Sequence, residues 1–177
     1  MARHVVLLRG INLGPRNRIA MPALRDAFAA AGFADVKTYL QSGNVVLSSG
    51  ASAAKVATRA RAVIESSFGL DIEVVVRTRT QLAKVVELDP LGDVATTPKR
   101  YLVTFLSARP AAAVMRKADE AAAPGERVLL AGHEIYAWLP EGVGRSRLWA
   151  FLAGRGLGVT ATARNWTTVT SLLELAG

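Results

Sequence analysis

The chain has 177 residues, 51% of them hydrophobic, so it can bury a core as one compact unit or as two small halves. Its 22 Lys and Arg residues outnumber its 14 Asp and Glu residues. The resulting net charge of +8 favours polyanionic partners such as nucleic acid or phosphorylated ligands, although a solvated basic surface also explains the excess. The absence of cysteine excludes disulfides, thiol catalysis and thiolate metal sites.

The apolar runs of the chain are short. None is long enough to cross a bilayer, and the first residues lead into a predicted strand rather than a signal peptide. A chain without cysteine also suits a reducing compartment. The sequence therefore predicts a soluble cytoplasmic protein with no membrane partner, and it leaves the oligomeric state open.

Strand and helix patterns alternate along the first half. Val5 to Leu8 predicts a buried strand, and a polar loop follows at 12–18. A helix is predicted from Met21, because apolar residues recur at three- and four-residue steps, Pro22 lies in the first turn and Gly32 ends the pattern. Then come a hairpin with strands 36–41 and 45–48, in which Gly43 and Asn44 supply positive φ, a helix at 56–68 and a strand at 72–76.

The second half repeats this order after a short helix at 82–86 and a connector that ends at Pro98. Its predicted elements are a strand at 101–106, an alanine-rich helix at 111–122, hairpin strands at 127–130 and 135–139, a helix from Leu148, a strand at 159–163 and a closing helix at 169–175. Two copies of strand, helix, strand, strand, helix, strand predict a duplicated ferredoxin-like α+β fold with antiparallel sheets and helices packed on them. The halves are expected at 1–88 and 89–177, joined in one compact unit.

Four short segments centred on Gly or Asn hold the candidate functional residues: Arg9-Gly10-Ile11-Asn12, Gln41-Ser42-Gly43-Asn44, Gly142 to Arg147, and Arg164-Asn165-Trp166. Each lies where a predicted strand ends, and such turns offer backbone N–H groups, short polar side chains and cations to an anionic ligand. The predicted ligand-binding residues are Arg9, Asn12, Arg18, Ser42, Asn44, Gly144, Arg145, Ser146, Arg147, Arg164 and Asn165.

The predicted topology gathers these segments into two clusters. In a ferredoxin-like unit the first two strands run parallel, so the segment at 9–12 should face the segment at 41–44. In the second half, the exits of the third and fourth strands should bring 142–147 to the same sheet edge as 164–166. The sequence leaves open whether the two clusters share one cleft.

Each cluster also has a purely structural interpretation. The segment 142–147 offers two glycines, a Ser cap and a cation to a phosphate. It lacks the third glycine of a dinucleotide fingerprint and the Lys-Ser/Thr ending of a P-loop, which favours the alternative of a structural turn capped by Ser146. Asn12 and Asn44 either orient a ligand or bond their own backbone. Trp166 either stacks on a base or anchors the core.

No residue set specifies a reaction. Ser42 as a nucleophile would need a positioned base, and neither His4 nor His133 has an evident Asp partner. Two histidines without clustered carboxylates also make a poor metal site. The sequence predicts no bound metal and no cofactor, and it leaves open whether the protein is an enzyme.

Four segments resemble the domain of unknown function family 1697: Leu7 to Gly14, Thr38 to Val46, Gly142 to Leu148 and Thr162 to Trp166. The resemblance covers essentially the whole chain and implies a bacterial cytoplasmic protein with two ferredoxin-like halves and no established activity. One local departure is Gly14-Pro15-Arg16, where the family commonly has a second glycine before Lys or Asn. Proline stiffens this loop, which argues against its use as a flexible phosphate grip.

Three functions compete. The leading hypothesis is binding of a phosphate-bearing polar ligand, with nucleic acid as the favoured class and phosphate contacts from Arg9, Arg16, Arg18, Arg145 and Arg147. The first alternative is an enzyme acting on a small phosphorylated or carboxylated metabolite, in which Arg and Asn stabilise developing charge. The second is a structural or interaction protein whose turns hold two halves together.

Overall fold

The computed structural model describes all 177 residues. In chain order the elements are β1 (Ala2–Leu8), α1 (Met21–Ala30), β2 (Ala34–Tyr39), β3 (Asn44–Ser49), α2 (Ala53–Phe68), β4 (Val74–Thr78), α3 (Arg79–Leu88), a 3-10 turn (Pro98–Arg100), β5 (Tyr101–Leu106), α4 (Ala112–Ala121), β6 (Arg127–Ala131), β7 (Glu134–Trp138), α5 (Arg147–Ala153), β8 (Ala161–Asn165) and α6 (Trp166–Leu175). The order βαββαβ occurs twice, each time followed by a helix. The predicted duplicated ferredoxin-like α+β fold is confirmed.

Each copy forms one four-stranded antiparallel sheet. The strand orders are β2-β3-β1-β4 and β6-β7-β5-β8, so the first strand of each copy is central and its fourth strand is at an edge. Because β1 and β2 both run antiparallel to β3, the end of β1 and the β2–β3 hairpin lie at the same end of the sheet. None of the helices combines the length and apolar composition needed to span a bilayer.

The chain divides into two compact units. Met1–Lys84 with Ser171–Gly177 forms the first unit, and Val85–Thr170 forms the second. The division falls inside α3 and inside α6, so each helix that follows a fourth strand contributes to both units. The boundary predicted after residue 88 lies at the end of α3, whereas the division between the two units lies after Lys84.

The core of the first unit lies between its sheet and helices α1 and α2. Val6 and Leu8, alternate residues of β1, pack in one cluster with Leu24 and Phe28 of α1 and with Ile64 of α2. The side chain of Ser52 caps α2 by accepting from the backbone N–H of Lys55, and Gly69 ends it with a φ of 67°.

The second unit has its own core cluster. Leu102 and Leu106 of β5 pack with Ala118 of α4 and with Leu148 and Leu152 of α5. Ala118 is the only buried residue of α4, in agreement with the weak apolar face of this alanine-rich segment. Alanine has the highest helix propensity, which supports a helix with so little buried surface.

The first hairpin differs from its prediction in one respect. Gly43 has the expected positive φ, 87°, but Asn44 lies within β3, and the second residue with positive φ in the turn is Leu40, at 58°. A Cβ on Gly43 would lie 2.8 Å from side-chain atoms of Ile11 and Leu8. Glycine is therefore required at position 43 both for its φ and for the close approach of the β1 exit.

Candidate functional site

Two surface recesses are lined by residues of the motif segments, one recess in each unit. The first-unit recess has a volume of about 440 Å³ and lies beside the loop after β1 and the β2–β3 hairpin, where its lining consists of Asn12, Arg18, Ile19, Ala20 and Gln41. Arg18 is the only charged residue of this lining. The recess therefore has a positive potential with no carboxylate to offset it.

Asn12 fixes the geometry of the first-unit recess. Its backbone has a φ of 57°, and its side-chain Oδ1 accepts from the Ile19 N–H at 2.9 Å. Its Nδ2 donates to the carbonyl oxygens of Ile19, at 2.9 Å, and Gln41, at 2.7 Å. The structure thus brings segments 9–12 and 41–44 together. Since the Asn12 amide is already engaged within the chain, it serves the loop rather than an incoming ligand.

Asn44 and Ser42 are also turned inward. Asn44 is fully buried, and its Nδ2 donates to the Tyr39 carbonyl at 2.7 Å and to Ser42 Oγ at 3.0 Å. These bonds connect the two sides of the hairpin. For both asparagines the structure shows the alternative in which the side chain bonds the neighbouring backbone.

Arg9 lies at the sheet end but outside the lining of the recess. Its Nε is 3.7 Å from Glu73 Oε2, and its backbone N–H donates to the Glu73 carbonyl at 2.9 Å. In contrast, Arg16 and Arg18 are exposed and form no ion pair. Of the early cations, these two are the ones available to a partner.

The second-unit recess has a volume of about 620 Å³. It is lined by Ala123, Pro124, Glu126, Pro140, Glu141, Gly142, Gly144, Arg145 and Ser146. The turn is held by the bonds Gly142 N–H to Leu139 O, at 2.8 Å, and Ser146 N–H to Val143 O, at 3.3 Å. The backbone N–H groups of Gly144 and Arg145 donate to no group within the chain. Two free N–H groups and one guanidinium therefore remain for an anion.

The Ser146 side chain is engaged as a helix cap. It is buried, and its Oγ accepts from the Trp149 N–H at 3.0 Å at the start of α5. This helix has only seven residues, so its dipole adds little to the recess. Arg147 is exposed as the first residue of α5 and is not part of the lining.

Sequence reasoning missed two carboxylates of the second-unit recess, those of Glu126 and Glu141. Glu126 Oε2 accepts from the Ala123 N–H at 2.9 Å, and Glu141 is exposed. The hairpin register contained a usable signal. In the β6–β7 hairpin, paired residues such as Arg127 and Trp138 lie at equal distances from the two-residue loop 132–133. Extending this pairing by one residue places position 126 beside the segment that follows β7.

Segment 164–166 lies at the predicted sheet end but outside the second-unit recess. The ends of β7 and β8 both flank the start of β5, where Tyr101 pairs with Trp138 and Leu102 pairs with Asn165. The recess nevertheless includes no residue of β8. Trp166 stacks on Tyr101, with ring centroids 4.6 Å apart and planes 10° apart, so its ring is used in packing.

Arg164 and Asn165 have structural contacts. Arg164 is 8% exposed and donates to Thr162 Oγ1 and to the Ala163 carbonyl, each at 2.8 Å, and its burial lowers its pKa to about 10. Asn165 Oδ1 accepts from the Thr168 N–H at 2.9 Å and caps α6. No group of three or more His, Cys, Asp or Glu side chains is placed to hold a metal ion.

Comparison with known proteins gives a fold and a family. A solved structure of a conserved bacterial protein from Streptococcus pneumoniae is similar over 99% of both chains, with a TM-score of 0.81 and 18% sequence identity. No curated protein matches the chain significantly. The family described as "Protein of unknown function (DUF1697)" matches residues 1–136, which include both segments of the first-unit recess. The chain belongs to this family, domain of unknown function family 1697.

Proposed function

We propose that the protein binds a phosphate-bearing polar ligand in the second-unit recess. The observation that carries the proposal is the Gly144-Arg145 turn, because both residues line one cavity and the backbone N–H groups of both are unpaired. Adjacent backbone N–H groups bind anions well because each donates without a change of conformation. A volume of about 620 Å³ suits a small metabolite.

The carboxylates of the recess define the rest of the ligand. Glu126 and Glu141 border the same cavity, and a carboxylate accepts hydrogen bonds from hydroxyl or amino groups. A bare phosphate would be repelled by them. The best fit is therefore a molecule with phosphate at one end and hydroxyl or amino donors at the other, such as a sugar phosphate or a nucleotide.

Nucleic acid offers the same phosphate chemistry from a second source. Arg16 and Arg18 of the first unit are exposed and have no ion-pair partner, and such cations bind a phosphate backbone in a salt-dependent way. β1 and β3 carry no aromatic residue on which a base could stack. Contacts with nucleic acid would therefore be to its phosphate backbone. We place this cysteine-free chain in the cytoplasm, where such contacts would form.

The same carboxylates favour an enzyme as the second candidate function. Proton transfer to or from a bound metabolite needs a positioned acid or base, and Glu126 and Glu141 are the titratable groups beside the phosphate subsite. Arg145 would then stabilise charge that develops on the substrate. Turnover of a phosphorylated metabolite that stops in Glu141→Gln, with binding retained, would identify this activity.

The binding proposal is tested by thermal unfolding with inorganic phosphate, nucleotides, sugar phosphates and a short RNA. A ligand at 100 times its Kd adds about 2.7 kcal/mol of stability, and we expect this for one class of small phosphate. Arg145→Ala should abolish the shift. Gly144→Val should abolish it as well, because a Cβ at position 144 meets no protein atom within 4 Å, so the fold tolerates a side chain that crowds the adjacent N–H groups. Arg116→Ala, which removes an exposed cation from α4, is the control. Stabilisation by RNA alone would favour nucleic acid, and no shift with any probe would refute the proposal.

A further inference from the structure

Leu40, at the tip of the β2–β3 hairpin, combines two unfavourable features. Its φ of 58° lies in the left-handed region, where a branched, bulky side chain crowds the backbone. The side chain is also 53% exposed, so its packing contacts do little to offset the energy cost of this backbone conformation. Glycine or asparagine would be more stable at this position. Residues held in disfavoured backbone regions concentrate at binding sites, which makes the side chain of Leu40 a candidate contact.

The hairpin tip is rigid. The Leu8 N–H donates to the Gly43 carbonyl at 2.9 Å, which ties the tip to the exit of β1. Asn12 Nδ2 donates to the Gln41 carbonyl, and Asn44 Nδ2 donates to the Tyr39 carbonyl, both at 2.7 Å. Leu40 is therefore flanked on both sides by fixed carbonyls. The backbone that carries its side chain is therefore held in place before any partner arrives, which lowers the entropy cost of binding.

A second exposed leucine lies at the same end of the sheet. Leu13 is 83% exposed and follows Asn12, just as Leu40 precedes Gln41, so both leucines lie one residue from the Asn12–Gln41 bond. Arg16 and Arg18 continue the exposed loop, form no ion pair, and precede every acidic residue in the chain. We call Leu13, Arg16, Arg18 and Leu40 the hairpin-tip surface.

We propose that the hairpin-tip surface docks an acidic protein segment that carries aliphatic side chains. Two leucines match aliphatic partner side chains, and two unpaired arginines match carboxylates. A second copy of this chain is disfavoured because its own hairpin-tip surface has the same positive charge. A nucleic-acid backbone would engage the two arginines but not the two leucines, because single strands are otherwise bound on aromatic rings. This docking is independent of the phosphate recess, which lies in the other unit.

The test uses an array of short synthetic peptides in which acidic content and leucine content vary independently. We expect binding only where a peptide has both, and the best peptide is then titrated by fluorescence anisotropy. Leu40→Asn should weaken its binding about ten-fold while raising Tm, because asparagine tolerates the left-handed conformation. Arg16→Ala with Arg18→Ala should remove most of the salt dependence.

Leu88→Asn is the matched control. Leu88 is 55% exposed, close to the 53% of Leu40, but lies at the end of α3 with no positive φ. This variant should leave both peptide binding and Tm near the wild-type values. A rise in Tm without loss of peptide binding in Leu40→Asn would overturn the proposal. It would also be overturned by an array with no acidic, leucine-containing binder, by Leu40-dependent binding of an oligonucleotide, or by a wild-type dimer that Leu40→Asn dissociates.

Discussion

The two copies of the fold share their strand order and strand-end hydrogen bonds, and they differ in the loops and recesses at the ends of their sheets. At the exit of the first strand, Leu8 N–H donates to Gly43 O in the first copy and Leu106 N–H donates to His133 O in the second, both at 2.9 Å. The residue after each of these strands likewise donates to the segment before the fourth strand. The copies therefore superimpose in their hydrogen-bond pattern although their sequences show no visible repeat.

The hairpin tips are the first difference. In the first copy four residues, Leu40 to Gly43, separate β2 from β3, and a recess of about 440 Å³ borders this tip. In the second copy only Gly132 and His133 separate β6 from β7. The longer tip creates room for an exposed leucine and for the Asn12 contacts. The two-residue tip of the second copy has no position that corresponds to Leu40.

At the opposite end of the sheets, it is the second copy that borders a recess, whereas hydrogen-bonded side chains occupy this end in the first copy. In the first copy, Ser48 Oγ donates to Asp35 Oδ2 at 2.9 Å, and the Arg3 guanidinium donates to Ser48 Oγ at 3.0 Å, which fills the entry of β2. In the second copy the entry of β6 borders the recess of about 620 Å³. The two recesses thus lie at opposite ends of the corresponding sheets. A duplicated frame allows this because loops change while the core stays packed.

The largest effect that separates the copies is expected from alanine at the two tip glycines. Gly43→Ala should cost about 3 kcal/mol, because φ is 87° and the new Cβ would lie 2.8 Å from Ile11 and Leu8. Gly132→Ala should cost about 1 kcal/mol, since its φ is 61° but the nearest atom, of Glu134, is 3.6 Å away. Urea unfolding measures both. Equal losses would mean that the tips are equally packed.

The next largest effect is expected from removing the Asn12 side chain, which hydrogen-bonds to Ile19 and Gln41. Asn12→Ala removes three side-chain hydrogen bonds, two of which engage Ile19, and we expect a loss of about 2 kcal/mol. Limited proteolysis should then cut the loop 13–18 faster than in the wild type. Asn17→Ala, in the same loop and also with positive φ, is the control for backbone conformation. Similar losses in both variants would argue against a specific role for the Asn12 amide.

Much of the fold follows from local patterns. The α1 prediction needed only the spacing of Met21, Leu24 and Phe28 and the flanking Pro22 and Gly32, and the helix lies at Met21–Ala30. Such signals depend on neighbours within a few residues. The two copies were predictable for the same reason, since element order survives where sequence similarity does not.

The candidate site was less predictable because it depends on which polar atoms already form hydrogen bonds within the chain. The pattern identified Asn12 and Ser146 as polar turn residues but did not show that Asn12 bonds Ile19 or that Ser146 caps α5. Arg164 was expected to contact a ligand, yet its place opposite Val103 on a buried strand makes its contacts internal. Glu126 was missed because no motif contains it, although the β6–β7 register places it.

The buried His4 allows a pH test of the first copy. Burial lowers the pKa of His4 below its ordinary value of 6.5, so the folded state holds the neutral ring while the unfolded chain takes up a proton. Stability should therefore fall as pH drops below about 6.5, by at most about 1.4 kcal/mol per pH unit. His4→Leu should flatten this part of the profile. An identical slope in wild type and His4→Leu would contradict the assignment.

The smallest effect concerns how the first copy closes its sheet end. Asp35→Asn removes the charge of a carboxylate that lies 3.9 Å from the Arg3 guanidinium and is 67% exposed, but it keeps an oxygen that can accept from Ser48. We expect a loss below about 0.5 kcal/mol in urea unfolding, with little dependence on salt, because exposed ion pairs contribute little. Ser48→Ala, which removes the hydroxyl that both Asp35 and Arg3 contact, should cost about 1 kcal/mol. A larger loss in Asp35→Asn than in Ser48→Ala would mean that charge, rather than hydrogen-bond geometry, stabilises this end of the first copy.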